Sequence, residues 1–257
     1  MRDLDPFMLL AIDIGNTSIT FGIFAGKRLV RHWRVGTKGA SAASIGHILK
    51  RRTKDEGRGT MGGACISSVV PRLNPILTKV IRKHFGCKAL FVSAKNAGIG
   101  IPRYDKKQIG ADRLVNAVAA HKIYKKPCIV IDFGTATTFD YVTAKGEYGG
   151  GVIAPGIRII NDALSSMTAK LPKVPITKTK RIVAQNTKAS MQSGVFHGYV
   201  GLVDHIVERM KRETKTKPMV IATGGFAKLV AKHTKSIEKF QPFLTLDGLR
   251  IIWERNS

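Results

Sequence analysis

A single supersecondary unit occurs twice in this chain, and that repeat limits the folds open to it. Leu10-Ala11-Ile12-Asp13-Ile14-Gly15-Asn16-Thr17 is matched about 120 residues later by Ile129-Val130-Ile131-Asp132-Phe133-Gly134-Thr135-Ala136. Each copy is an apolar run ending on an acid, then an apolar residue, a glycine and small hydrogen-bonding residues. A second strand-like run and a glycine turn follow each copy. One unit used twice predicts two similar half-domains.

The unit also has a definite chemistry. An aspartate at the carboxyl end of a strand can hold a hard cation, or a water shared with phosphate. The glycine lets backbone amides approach an anion with no Cβ in the way. Asn16, Thr17, Thr135, Thr137 and Thr138 offer donors for phosphate oxygens. Two such units facing one another would clamp a polyphosphate between two lobes. The alternative is two ordinary strand-to-turn junctions whose aspartates cap turns.

Around the copies, strand-like and helical patterns alternate, as in an α/β fold. Ile19 to Ala25 and Leu29 to Val35 predict a hairpin about Gly26. Helical spacing predicts helices over Ser41 to Lys54, Asn74 to His84, Asp112 to Tyr124, Ala189 to Arg212 and Leu246 to Glu254, with shorter ones after Gly156 and Gly225. Further strands are expected over Ala64 to Val70, Leu90 to Ser93, Cys128 to Asp132, Phe139 to Thr143, Tyr148 to Ile153 and Met219 to Ala222. Lys95 to Ile109 reads as a loop, and Lys170 to Lys188 as a basic linker carrying Pro172 and Pro175.

Composition excludes several classes. With 257 residues, 44% of them hydrophobic, the chain can bury a core and is not a disordered segment. Its longest apolar run, Phe7 to Ile12, is far shorter than the ~20 residues of a spanning helix. No secretory signal is readable, so a cytoplasmic protein with no membrane partner is expected. Cys65, Cys87 and Cys128 are odd in number, far apart and without a CxxC pair, which argues against a disulfide scaffold or a cysteine zinc site. There is no GxxxxGK[ST] word and no HExxH word, and the seven histidines lack metal spacing. The net charge of +26 favours anionic partners, although sign alone cannot choose among phosphates, nucleic acid and membrane surfaces. The densest basic runs, Lys50-Arg51-Arg52, Lys106-Lys107 and Lys178 to Arg181, are not interleaved with aromatics as a single-strand stacking platform would be. A solvated basic surface accounts for them; any nucleic-acid contact is expected to be non-specific.

Five words in order carry a resemblance. They are Asp13-Ile14-Gly15-Asn16-Thr17, Gly110-Ala111-Asp112-Arg113, Asp132-Phe133-Gly134-Thr135-Ala136-Thr137-Thr138, Gly149-Gly150 followed by Pro155-Gly156, and Thr223-Gly224-Gly225. The paired phosphate loops resemble the actin, sugar kinase and Hsp70 superfamily. The full set resembles the type III pantothenate kinases from about Met8 onward, with residues 1–7 outside the match as an N-terminal extension.

That resemblance implies two ribonuclease H-like α/β domains with mixed sheets and a duplicated core, divided as 1–114 and 115–257, with the active site in the cleft between them. It implies transfer of the γ-phosphoryl group of ATP to the terminal hydroxyl of pantothenate, the first step of coenzyme A synthesis, by a homodimer. Asp112 would be the general base. Tyr104, Gly110, Ala111, Asp112, Arg113 and Thr187 would bind pantothenate, although Tyr104 to Ile109 departs from the family's usual wording. ATP would lie against Asp13, Ile14, Gly15, Asn16, Thr17, Ser18, Ile19 and Thr20, and against Gly134, Thr135 and Gly224. Asp13 would face Mg²⁺ through phosphate and water, and Asp132 a monovalent cation, K⁺ or NH₄⁺.

The residues themselves leave alternatives. Asp112 and Thr187 each stand where a helix N-cap is expected, and Arg113 suits a structural ion pair. Another phosphotransferase of the superfamily, acting on a different small alcohol, is one competing function. A nucleotide-binding regulator is another, although a regulator has no need of a carboxylate at Asp112.

Overall fold

Each copy of the repeated unit folds as a hairpin at the centre of its own five-stranded sheet. The computed structural model describes residues 7–53 and 60–257, which form two units: one from residues 7–53, 60–119 and 244–257, the other from 120–243. The expected extension over residues 1–7, Phe7 excepted, and Lys54 at the end of the first expected helix lie outside the described residues.

In the first unit β1 (Phe7–Ile14) pairs antiparallel with β2 (Ser18–Ala25), which pairs antiparallel with β3 (Arg28–Gly36) across a turn where Gly26 takes φ +55°. On its other side β1 pairs parallel with β4 (Thr60–Ser68), and β4 with β5 (Ala89–Phe91), giving the order β3-β2-β1-β4-β5. Helix α1 (Ala42–Thr53) joins β3 to β4. A short 3-10 turn (Pro71–Leu73) and α2 (Asn74–Phe85) join β4 to β5. Pro75 sits in the first turn of α2, where its missing N–H is no loss, and Gly86 closes that helix at φ +65°. One face of the sheet, with Leu10, Ile12, Phe21 and Ile66, packs with Ile45, Leu49, Leu77 and Ile81 of α1 and α2 as one core.

The opposite face takes the last helix of the chain. Helix α3 (Ala111–Tyr124) begins in this unit, and α7 (Leu244–Asn256) packs on β1, β2 and β4. Glycines make the approach close: a Cβ on Gly63 would collide with the Trp253 ring, and one on Gly22 would lie 2.9 Å from Leu246 Cδ1. Gly248 meets the Val115 backbone of α3 in the same way, and Thr245 Oγ1 donates to Asn116 Oδ1 at 2.8 Å. The units therefore differ from the expected 1–114 and 115–257. The division falls inside α3, and residues 244–257 return to the first unit because their apolar side covers its sheet.

The second unit repeats the layout strand for strand. β6 (Cys128–Phe133) pairs antiparallel with β7 (Ala136–Val142), which pairs with β8 (Tyr148–Pro155). On its other side β6 pairs parallel with β9 (Met219–Gly224), and β9 with β10 (Lys239–Phe240). Helices α4 (Ile157–Ser166), α5 (Thr187–Thr214) and α6 (Ala227–Ala231) bury Ile157, Tyr199, Val203, Val207, Ala227 and Val230 with Ile129, Ile131 and Val220 of the sheet. β7 begins three residues before the expected Phe139, because Ala136 to Thr138 pair with Ile153 to Pro155 although their side chains are small or polar. The expected linker has no regular structure through Lys173 to Arg181, but it is anchored where Asn161 Nδ2 donates to the Val174 carbonyl at 2.9 Å. The three cysteines are unbridged, and burial pushes the thiols of Cys65 and Cys128 up to about 12 and about 11. Among the described residues no helix is long and apolar enough to cross a membrane.

Candidate active site

Asp13 is the last residue but one of β1. Register places it in a row across the sheet, with Ser67 of β4 on one side and Thr20 of β2 on the other. Thr20 stands opposite Arg34 of β3, whose Nε donates to Thr20 Oγ1 at 3.2 Å. Asp132 occupies the same place in the second unit, between Thr223 of β9 and Thr138 of β7. The duplication is thus three-dimensional: in each sheet a carboxylate stands between two hydroxyl-bearing neighbours. Ser67 and Arg34 escape a reading of the sequence. For Ser67 the available signal was a hydroxyl closing an apolar strand, as Thr223 does in β9.

The first turn is fastened from both ends. Gly15 N–H donates to the Ser18 carbonyl at 2.9 Å, while Thr37, buried after β3, donates its hydroxyl to the Gly15 carbonyl at 2.7 Å and its N–H to Thr17 at 3.0 Å. Ile14 and Ile19 are fully buried, so their side chains serve the core and only their main chain can meet a ligand. Asn16 and Thr17 are exposed at the tip, with Ser18 and Thr20 half-buried behind them.

Glycines shape the second turn. Gly134 and Thr135 are exposed at its tip. A Cβ on Gly156 would collide with the Thr135 carbonyl, and one on Gly224, which has φ +92°, would lie 2.6 Å from Asp132 Oδ1 and 2.7 Å from Phe133 N. Two of the hydroxyls expected as phosphate donors serve the scaffold instead. Thr137 is fully buried and hydrogen-bonded to the Tyr199 hydroxyl, and Thr138 Oγ1 donates to Asp140 Oδ2 at 3.1 Å. Asp140, fully buried, also accepts from Tyr148 OH at 2.8 Å.

Asp112 lies in the first turn of α3. It is not the N-cap; its Oδ1 accepts from Arg113 N–H at 2.8 Å. A Cβ on Gly110 would collide with that Oδ1, so the glycine makes room for the carboxylate. Burial pushes the Asp112 carboxyl above its ordinary range, and the hydrogen bond from Arg113 N–H and its guanidinium charge only partly oppose this. Arg113 is itself buried, donating from Nη1 to Tyr104 OH at 3.3 Å with its guanidinium 5.7 Å from the Tyr104 ring centre. Tyr104 and Asp112 are thereby tied to one arginine. The Val69 N–H donates to Ile14 O at 3.1 Å, and its side chain would lie 3.8 Å from a Gly110 Cβ, so the Asp13 and Asp112 segments meet at one strand end of the first unit. In the second unit Asn186 caps α5 by accepting from Ala189 N–H at 2.9 Å. That leaves Thr187, exposed at the first helical position, with no hydrogen-bond partner for its hydroxyl among the described residues.

No group of three or more His, Cys, Asp or Glu side chains is placed to hold a metal ion among the described residues. Single carboxylates flanked by hydroxyls suit a hard cation whose shell is completed by phosphate oxygens and water.

A family model described as type III pantothenate kinase matches residues 9–209. The chain is 49% identical over 253 residues to a type III pantothenate kinase of Geobacter sulfurreducens, covering 97% of this chain and 99% of that protein. It is 45% identical over 254 residues to one of Moorella thermoacetica, covering 97% and 100%. Among solved structures, a Baf family protein of Campylobacter jejuni aligns with a TM-score of 0.61 at 20% identity, covering 96% of this chain and 98% of that one. The ROK hexokinase of Thermus thermophilus aligns with a TM-score of 0.53 at 14% identity, covering 98% and 100%. At those identities the solved structures speak to the fold alone, a duplicated α/β fold.

Proposed function

Because the chain belongs to the type III pantothenate kinases, we propose that it makes 4'-phosphopantothenate from pantothenate and ATP with Asp112 as the base. This is the first committed chemistry of coenzyme A synthesis. The observation that carries the assignment of the base is the setting of Asp112. Its carboxylate is given room by Gly110, held by the Arg113 N–H, and made more basic than usual by burial.

An alcohol attacks phosphorus poorly unless it is oriented and its proton has somewhere to go. Asp112 accepts a hydrogen bond from the pantothenate hydroxyl and takes its proton as the new P–O bond forms. The bond from the γ-phosphorus to the bridging oxygen breaks, and ADP departs. Tyr104, Gly110, Ala111 and Arg113 bind pantothenate, joined by Thr187, whose hydroxyl is not needed as a cap. The backbone of Asp13 to Thr20, together with Gly134, Thr135 and Gly224, binds the ATP phosphates and nucleoside. Asp13 would face a divalent cation bound with ATP, which would offset phosphate charge, and Asp132 would hold K⁺ or NH₄⁺, which would add positive charge with looser geometry. The reaction belongs in the cytoplasm.

We also propose a homodimer. β8 is the longest strand edge without a charge: its residues run Tyr-Gly-Gly-Gly-Val-Ile-Ala-Pro, with Val152 and Ile153 exposed and Ile159 exposed on the helix that follows. A long, apolar, unguarded edge is a pairing surface, and a second copy carrying the same uncharged strip fits it without bringing like charges together.

The test of the reaction is ADP release with and without pantothenate. Dependence on pantothenate, abolished by Asp112→Asn with nucleotide binding intact, is the expected result. Turnover of Asp112→Asn near the parent rate would remove the base from the mechanism.

A further inference from the structure

We infer that the α1–α2 face of the first unit binds the phosphate backbone of double-stranded nucleic acid without regard to sequence. Charge in this chain is unevenly spread. From residue 14 to residue 104 there are seventeen Lys and Arg but only two acids, Asp55 and Glu56, so this third of the chain holds more than half of the net +26. Within it, α1 and α2 carry no acidic residue at all. Both are crossovers between parallel strands, so they run the same way and bring their C-terminal ends to one end of the sheet. They pack side by side where Gly46 of α1 leaves space for the His84 ring of α2. Asp13 stands at the opposite, carboxyl end of β1, so a partner held here leaves the proposed catalytic residues of this unit uncovered.

Lys50, Arg51 and Arg52 on α1 and Lys79, Arg82 and Lys83 on α2 are all exposed, and none forms an ion pair among the described residues. A shallow groove of about 560 Å³ lies along α2, lined by Lys79, Arg82 and Lys83 with Pro75 and Thr78. Helix dipoles favour cations in a last turn. They do not account for Lys79 in mid-helix, for Arg72 on the turn before α2, or for the lack of any acid on either helix.

The same face indicates which polyanion it suits. All the large exposed hydrophobic residues described, from Ile123 to Phe240, belong to the second unit. The basic face therefore has no large exposed apolar side chain to insert beneath lipid headgroups, and no exposed Phe, Tyr or Trp ring to stack on unpaired bases, its exposed rings being the imidazoles of His47 and His84. Cations without either anchor recognise a backbone of closely spaced phosphates.

The experiment measures binding of the full chain to a fluorescent duplex of about 20 base pairs, in two unrelated sequences, across a salt series. Similar affinity for both sequences is expected, with a slope of log K against log salt of about −3.6 to −5.4, as for four to six phosphate contacts. Lys79→Glu/Arg82→Glu/Lys83→Glu should lower affinity at least ~10-fold and flatten the slope by about 3, with pantothenate-dependent turnover unchanged. A second triple variant, Lys178→Glu/Lys180→Glu/Arg181→Glu, changes net charge equally in the other unit and should lose much less affinity. Equal losses from the two triples would mean that bulk charge alone is at work and would overturn the assignment to this face. Binding to phosphatidylserine vesicles in preference to the duplex, lost in the α2 triple, would overturn it in favour of a membrane.

Discussion

The carboxylate of Asp112 occupies the space that a side chain on Gly110 would fill. A methyl group there must displace Oδ1, and it acts on the carboxylate before it acts on the fold. Gly110→Ala should therefore lower kcat/KM for pantothenate by about 100-fold, the loss expected when a reacting group is misplaced by about 1 Å. ATP affinity by calorimetry should stay near that of the parent. A parent-like kcat/KM would mean that Asp112 works from another position.

Asp112 itself should show opposed effects on rate and stability. Its folded pKa lies above the ordinary 3.8, so folding is favoured most when the proton is on, below pH 3.8, and that contribution is lost as pH rises through the folded pKa. At neutral pH the buried charge is a burden on the fold. Asp112→Asn keeps an oxygen for the Arg113 N–H and removes the charge, so its Tm at pH 7 should be higher than the parent's, with a smaller gap at pH 3. Turnover should fall by at least ~100-fold. In the parent, kcat/KM should decline on the acid side about a pKa above the usual carboxylate value. A Tm decrease on Asp112→Asn at pH 7 would contradict this account.

Gly224 is held at φ +92°, where an added Cβ would press on the Phe133 backbone and the Asp132 carboxylate. Gly224→Ala combines a left-handed backbone with a direct clash, a penalty of about 1–3 kcal/mol. For a chain of this size that is a drop in Tm of several degrees, at about 2–4 °C per kcal/mol. On the proposed role of Asp132 as the monovalent-cation ligand, its displacement should make the variant need more K⁺ or NH₄⁺ for full activity. Thermal melts and a cation titration read the two effects separately.

The proposed dimer has a direct check in light scattering. Ile153, 61% exposed on the edge strand, becomes a like-charge contact when changed to Lys, and Ile153→Lys should shift the mass from dimer to monomer. Val183→Lys, also at an exposed apolar residue but in the linker before α5, should leave the mass unchanged. A dimer that survives Ile153→Lys would place the pairing surface elsewhere.

Much of this was legible in the residues. The Asp-apolar-Gly repeat announced two equivalent sheets because the chemistry of a strand-end carboxylate is local: the acid, the glycine and the hydroxyls are neighbours in sequence as well as in space. The rows that flank Asp13 and Asp132 were not legible, since Ser67 and Thr223 reach them through parallel pairing across many intervening residues. Thr137 and Thr138 looked like phosphate donors by composition, and only the partners Tyr199 and Asp140 reveal them as scaffold. β10 has two residues, too few for any periodicity to register. The destination of α7 was hidden for a related reason. An apolar helix stripe records that something is covered, and the glycines that receive it, Gly22 and Gly63, lie near the other end of the chain.

That placement of α7 affects how the molecule is made. Translation delivers the strands of the first unit early, yet the Trp253 and Leu246 side chains that seat on Gly63 and Gly22 leave the ribosome only after the whole of 120–243 has emerged. The half begun first is the half finished last. In the interval, the bare β1–β4 surface is where nascent chains of this protein are most open to chaperone capture or misassociation.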